Sequence, residues 1–170
     1  AVTEHPADLH LLMLHYDALE HFGQRTELDA ALKRLNEAAK KKAAKDRTAL
    51  DLVALGRAAL VIGAEPQKVI DQFFNAAKKK DPKAVEPWLA LADLAMEKGD
   101  YQRASKELQS ALKEAGEHPD LRYELARAFA PTDRGASMTH LSRALEMNPR
   151  HLPSLVLQAE HEIGSEAFND

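Results

Sequence analysis

Trp88-Leu89-Ala90-Leu91-Ala92-Asp93-Leu94-Ala95 is the stretch from which the fold can be read. A bulky residue followed by apolar residues three, four and seven positions later marks one face of an α-helix. Gly99-Asp100-Tyr101 then interrupts the pattern, and Ala104, Leu108 and Ala111 mark one face of a second helix. The small residues Ala92, Ala104 and Ala111 allow two helices to approach closely, while Trp88 and Leu108 fill the space beside them.

The same frame recurs on both sides. Upstream it places Leu52, Leu55, Gly56 and Ala59 on a first helix and Ile70, Phe74 and Ala77 on a second, ending at Pro82. Downstream it places Arg122, Leu125, Ala126 and Phe129, then Ser137, Leu141 and Ala144, ending at Pro149. A further unit begins at Leu155 and Ala159. One such helix pair cannot bury its apolar face alone, so a near-constant period implies stacked units rather than a single closed core. The punctuation agrees. Gly63, Gly99 and Gly135 are expected between paired helices, Pro82, Pro119 and Pro149 between units, and Pro66 early in a helix. The unit beginning at Leu52 is longer by two residues than its successor, an excess expected at Gly63-Ala64-Glu65-Pro66. The next but one is shorter by a residue near Pro131.

The first 47 residues carry a blurred version. Leu9, Leu12, Tyr16 and Leu19, then Leu28, Leu32 and Leu35, predict two amphipathic helices around Gly23-Gln24-Arg25. No Gly or Pro lies between Gln24 and Leu55. Residues 36–62 are therefore either one long helix or two, and Thr48-Ala49-Leu50-Asp51 has the look of a helix start.

Composition sets the outer limits. The 170 residues are 45% hydrophobic and 29% charged, too apolar for a disordered chain. Seven glycines, eight prolines and few aromatics suit helices better than an all-β fold. No apolar run approaches the roughly 18 residues of a membrane helix. The absence of cysteine excludes disulfides, thiol catalysis and Cys-ligated zinc, and is compatible with any compartment. The opening Ala1-Val2-Thr3 and a close at Asp170, soon after a turn-like Gly164, suggest a piece of a longer chain. The net charge of −4 is unevenly spread: −5 over residues 1–32, +7 over 33–83 and −6 over 84–170. The Lys40-Lys41-Lys42 and Lys78-Lys79-Lys80 runs could meet nucleic-acid phosphates. Each instead falls at the C-terminal end of a helix, where lysine complements the dipole, and neither is interleaved with aromatics. Nucleic acid is accordingly disfavoured as a partner.

No pattern for catalysis stands out. His5, His10, His15 and His21 are spaced by five or six, which does not line up metal ligands on one helical face, and there is no H-E-x-x-H. Phosphate-binding glycine motifs and the G-x-S-x-G elbow are likewise missing. The chain is expected to be non-enzymatic, without a metal or cofactor.

The W-x-x-L-A-x-x-A stretch, with the following Tyr101, Ala104, Leu108 and Ala111, resembles the tetratricopeptide repeat (TPR). The resemblance implies an all-α fold, a right-handed α-solenoid of antiparallel helix pairs. It implies one helical-repeat domain over 1–170, with a divergent pair at 1–47, repeats at 48–82, 83–116 and 117–149, and an incomplete unit at 150–170. It further implies a protein- or peptide-binding scaffold whose first helices line a groove. Position by position, that groove comprises Val53, Arg57 and Leu60, then Leu89, Asp93 and Met96, then Tyr123 and Arg127, then Val156 and Glu160. The Lys and Asn of the carboxylate clamp found in chaperone-binding members are not matched, so that ligand class is not expected. Asn148-Pro149-Arg150-His151-Leu152-Pro153-Ser154-Leu155 and Leu55-Gly56-Arg57-Ala58-Ala59-Leu60 also look like repeat regions of large bacterial proteins, some with a metallopeptidase-like domain. The alternative reading is thus a structural arm of a larger enzyme. Leu152, Leu155, Val156, Leu157 and Ile163 in the last unit are expected to expose apolar surface and favour a homodimer.

Overall fold

The structure, a computed structural model, describes residues 7–166. His5 and the segments 1–6 and 167–170 lie outside the described residues. Every regular element among the described residues is helical, as the spacing predicts, and the helices follow one another through short linkers. The chain divides into two compact units, Ala1–Ala90 and Leu91–Asp170.

In the first unit, α1 (Leu9–His21) starts on Asp8, whose carboxylate accepts the Leu11 amide at 3.1 Å. It turns at Gly23, with φ +69°, into α2 (Arg25–Lys41). Leu9, Leu12, Met13, Tyr16 and Leu19 meet Ala31, Leu35, Ala38 and Ala39 in one buried cluster. Ala54 and Ala58 of α3 (Ala49–Val61) complete that cluster. The open question about residues 36–62 is settled as two helices, separated by a 3-10 turn at Ala44–Asp46. The start of α3 is built as its sequence implies. Thr48 Oγ1 accepts the Asp51 amide at 3.1 Å, and the Thr48 amide donates to Asp51 Oδ2 at 2.6 Å. Lys42 Nζ lies 2.6 Å from the same oxygen. Burial alone would push the Asp51 carboxyl up, but Lys42 and Thr48 together hold it below the usual range.

The partner of α3 is α4, a single run made of Pro66–Val69, a π-helical turn over Ile70–Phe74, and Asn75–Lys80. Here the structure corrects the sequence reading. The two surplus residues are not both in the Gly63–Pro66 turn. One lengthens the turn before the Glu65 cap, and the other sits inside the helix, where a π turn takes up one extra residue. As a result Val69 and Phe74, five positions apart, are both buried. Phe74 packs onto Gly56 so closely that a Cβ there would lie 2.5 Å from Phe74 Cε1 and 3.0 Å from Phe73 Cβ. Even an alanine side chain does not fit at this position without a shift of the Phe74 ring or of a helix. Lys40 and Lys41 end α2 and Lys78–Lys80 end α4, as their placement at helix C-termini predicts. The ammonium of Lys78 lies 3.5 Å from the centroid of the buried Trp88 ring.

The division between units falls within α5 (Glu86–Glu97). In the second unit, α6 (Tyr101–Glu114), α7 (Pro119–Phe129), α8 (Arg134–Met147) and α9 (Leu152–Glu166) each pack on the next. Ala104, Leu108, Ala111, Leu125, Ala126, Leu141 and Ala144 are all fully or almost fully buried, as the frame requires. Gly135 does not lie between helices. Asp133 caps α8 through the Ala136 amide at 2.9 Å, so Gly135 falls in the first helical turn, where its flexibility costs least. Gly164, turn-like in the sequence, lies inside α9.

Candidate functional site

The residues assigned to a groove fall into both units, and each set is described within its own. In the first unit Val53 is buried, while Leu60 and Leu89 are half-buried. Arg57 extends from α3 to α1, where Nη1 meets Asp17 Oδ2 at 3.2 Å. Burial pushes the Asp17 carboxyl up, and Arg57 offsets only part of that.

The second unit repeats this pairing. Arg127 of α7 places Nη1 3.1 Å from Asp93 Oδ1 of α5 and 2.6 Å from Glu124 Oε2 of its own helix. Its guanidinium carbon also stands 5.9 Å from the Tyr123 ring centroid. Burial of Arg127 would weaken its hold on the proton, but Glu124 and Asp93 outweigh that and push it up. Glu124 is only 8% exposed. Burial, reinforced by the Asp93 charge, raises its carboxyl to about 7 despite Arg127. Burial likewise pushes up the Tyr123 hydroxyl, with Glu124 adding to the effect.

Above these charges lies an open pocket of about 320 Å³, lined by Asp93, Met96, Glu97, Tyr101, Arg127, Ala130, Pro131 and Leu157. Asp93, Met96 and Arg127 are thus brought together, although Met96 offers little surface. Tyr123 supports Arg127 from beside the pocket, and Val156 and Glu160 are exposed on α9 and do not line it. Glu97, Tyr101, Ala130, Pro131 and Leu157 were not assigned to the groove by sequence. Pro131 and Ala130 belong to the shortened turn, and no repeat position marks them.

One further arrangement has the look of catalytic chemistry. His151 Nε2 is 2.7 Å from Asp120 Oδ1, and His151 Nδ1 is 2.7 Å from Ser154 Oγ. The Ser154 side chain is wholly buried and His151 nearly so, leaving the hydroxyl no access to a substrate. The set instead ties the start of α9 to the start of α7 while satisfying buried polar atoms. Among the described residues, no three His, Asp or Glu side chains form a set able to hold a metal ion, and no helix is long and apolar enough to cross a membrane.

Residues 85–128 match the tetratricopeptide repeat family model. A thermophilic TPR protein of Thermus thermophilus superposes with a TM-score of 0.63 at 20% identity, over 95% of this chain and 85% of that one. YrrB, described as a TPR protein with an unusual peptide-binding site, aligns with a TM-score of 0.46 at 14% identity, over 94% of this chain and 96% of that one. No curated protein matches the sequence. The chain has the fold of a TPR protein.

Proposed function

We propose that this chain is a non-catalytic scaffold that binds an extended or helical peptide segment of another protein. Its repeats are taken as 48–82, 83–116 and 117–149, between a divergent pair at 1–47 and an incomplete unit at 150–170. The observation that carries the reading is the open pocket beside Arg127. Asp93, Met96 and Arg127, chosen from repeat position alone, line it, and the mix of apolar walls and a few fixed charges is that of a recognition site. Ion pairing of Arg127 to α5 holds the pocket's charges in place before any ligand arrives, which lowers the ordering cost of binding.

The test is selection of peptides from a displayed random library on the full chain, repeated with Tyr101→Ala and Leu157→Ala. Both residues line the pocket without being fully buried, so the variants are expected to fold, which far-UV circular dichroism verifies. Loss of the selected peptides in both variants is the expected result. Undiminished binding of every selected peptide by both would overturn the reading.

A further inference from the structure

The pocket's charges say which side chain it accepts. Its cation is already engaged, since Arg127 is held by Asp93 and by the buried Glu124 beneath it. Its carboxylates are not balanced in return. Asp93 and Glu97 stand one helical turn apart on α5, and Asp93 contributes only Oδ1 to Arg127. Glu97 is exposed at the rim, and no ion pair among the described residues engages it. The rest of the lining is apolar: Met96, Ala130, Pro131 and Leu157, with Tyr101 alongside.

An anionic group entering here would face two carboxylates with the only guanidinium already occupied. A purely apolar group would partly desolvate both carboxylates and leave Glu97 without a partner, which is costly. A long side chain with an apolar stem and a cationic head meets both requirements. Resting on the peptide-binding reading above, we propose that the pocket takes a lysine or arginine side chain of the bound segment. The stem lies along Met96, Pro131 and Leu157, and the head reaches the carboxylates of Asp93 and Glu97. A volume of about 320 Å³ accommodates one such side chain rather than a folded surface.

The experiment uses the same displayed peptide library, selected on the full chain and on Glu97→Lys. Glu97 is exposed, so its reversal is expected to leave the fold intact. Peptides selected on the parent are expected to share one Lys or Arg anchor. Replacing that anchor by norleucine in a synthetic peptide should weaken binding about tenfold, the scale of one charge-assisted contact. Glu97→Lys should lose these peptides, and Glu97→Gln should weaken them by less. Peptides that bind and are lost in Leu157→Ala, yet share no cationic anchor and ignore Glu97→Lys, would overturn the cation proposal and leave the peptide-binding reading standing. Peptides insensitive to Leu157→Ala, or no selected peptide at all, would defeat both.

Discussion

At the scale of single residues, two positions concentrate the consequences of close packing. Gly56 is the tighter. An alanine there would drive its Cβ against Phe74 Cε1 at 2.5 Å and Phe73 Cβ at 3.0 Å, so a ring must leave its rotamer or α3 must retreat from α4. Gly56→Ala is expected to lower stability by about 1–3 kcal/mol in urea unfolding, as overpacked cores do. Phe74→Leu in the same chain should recover part of that loss, and strict additivity of the two substitutions would show that the contact is not the cause. Glu124 raises a different matter. Its carboxyl is raised in the fold from 4.5 to about 7, so the folded chain holds that proton more tightly than the unfolded chain does. The stability this confers is fully present below pH 4.5 and is lost as the pH rises through about 7. At about 1.4 kcal/mol per unit, the loss is on the order of 2 kcal/mol between pH 5 and pH 8. Glu124→Gln should flatten that slope and be more stable than the parent at pH 8. An unchanged slope in urea midpoints would mean that Glu124 is not the titrating group.

At the scale of elements, the helices and their buried faces were legible in the sequence, and their irregularities were not. Ala92, Ala104, Leu108, Ala126 and Leu141 are buried because each repeat position depends on local periodicity, which survives in sequence. The Asp93–Arg127 pair was also within reach, since the two are one period of 34 residues apart and both had been assigned to the groove. The Asp120–His151–Ser154 set was out of reach. Its members come from different helices, Asp120 and His151 lie 31 residues apart, and only packing brings them together. The π turn was hidden for a related reason, because one surplus residue can be taken up in a turn or in a helix with the same effect on spacing. Its position makes a prediction. Deleting Gln72, which is exposed, would leave Val69 and Phe74 four positions apart, the ordinary spacing for one face of an α-helix. The deletion is expected to keep the helicity and fold of the parent, whereas deleting the fully buried Ala77 should unfold the unit. Equal loss of ellipticity in both would sink this account. At the start of α3, Thr48→Ala removes one half of a capping box whose Asp51 also binds Lys42, and should cost about 1 kcal/mol in urea unfolding.

At the scale of the whole molecule, what matters is what a run of repeats leaves uncovered. A stacked unit buries one side of each helix against its neighbour, so a helix with a neighbour on one side only keeps apolar side chains in water. Among the described residues α9 packs on α8, and it leaves Leu152 and Ile163 each 68% exposed and Val156 51% exposed. Leu155 is exposed as well, whereas Leu157, at the peptide pocket, is half-buried. The expected occupant in a pure sample is a second copy, since paired α9 faces would bury the same side chains on both partners. A standard interface buries about 800 Å² per partner, and the face of one 15-residue helix presents less. Association is therefore expected to be weak, in the micromolar range or above. Sedimentation across a concentration series should show the weight-average mass rising with concentration. Leu155→Glu combined with Ile163→Glu should abolish the rise without changing the unfolding midpoint, because both side chains already face water. A parent that stays monomeric at the highest concentration reached, or a double variant that associates as the parent does, would show that this face does not pair. Leu157 is spared in that design, so peptide capture by the same double variant should match the parent and separate self-association from recognition.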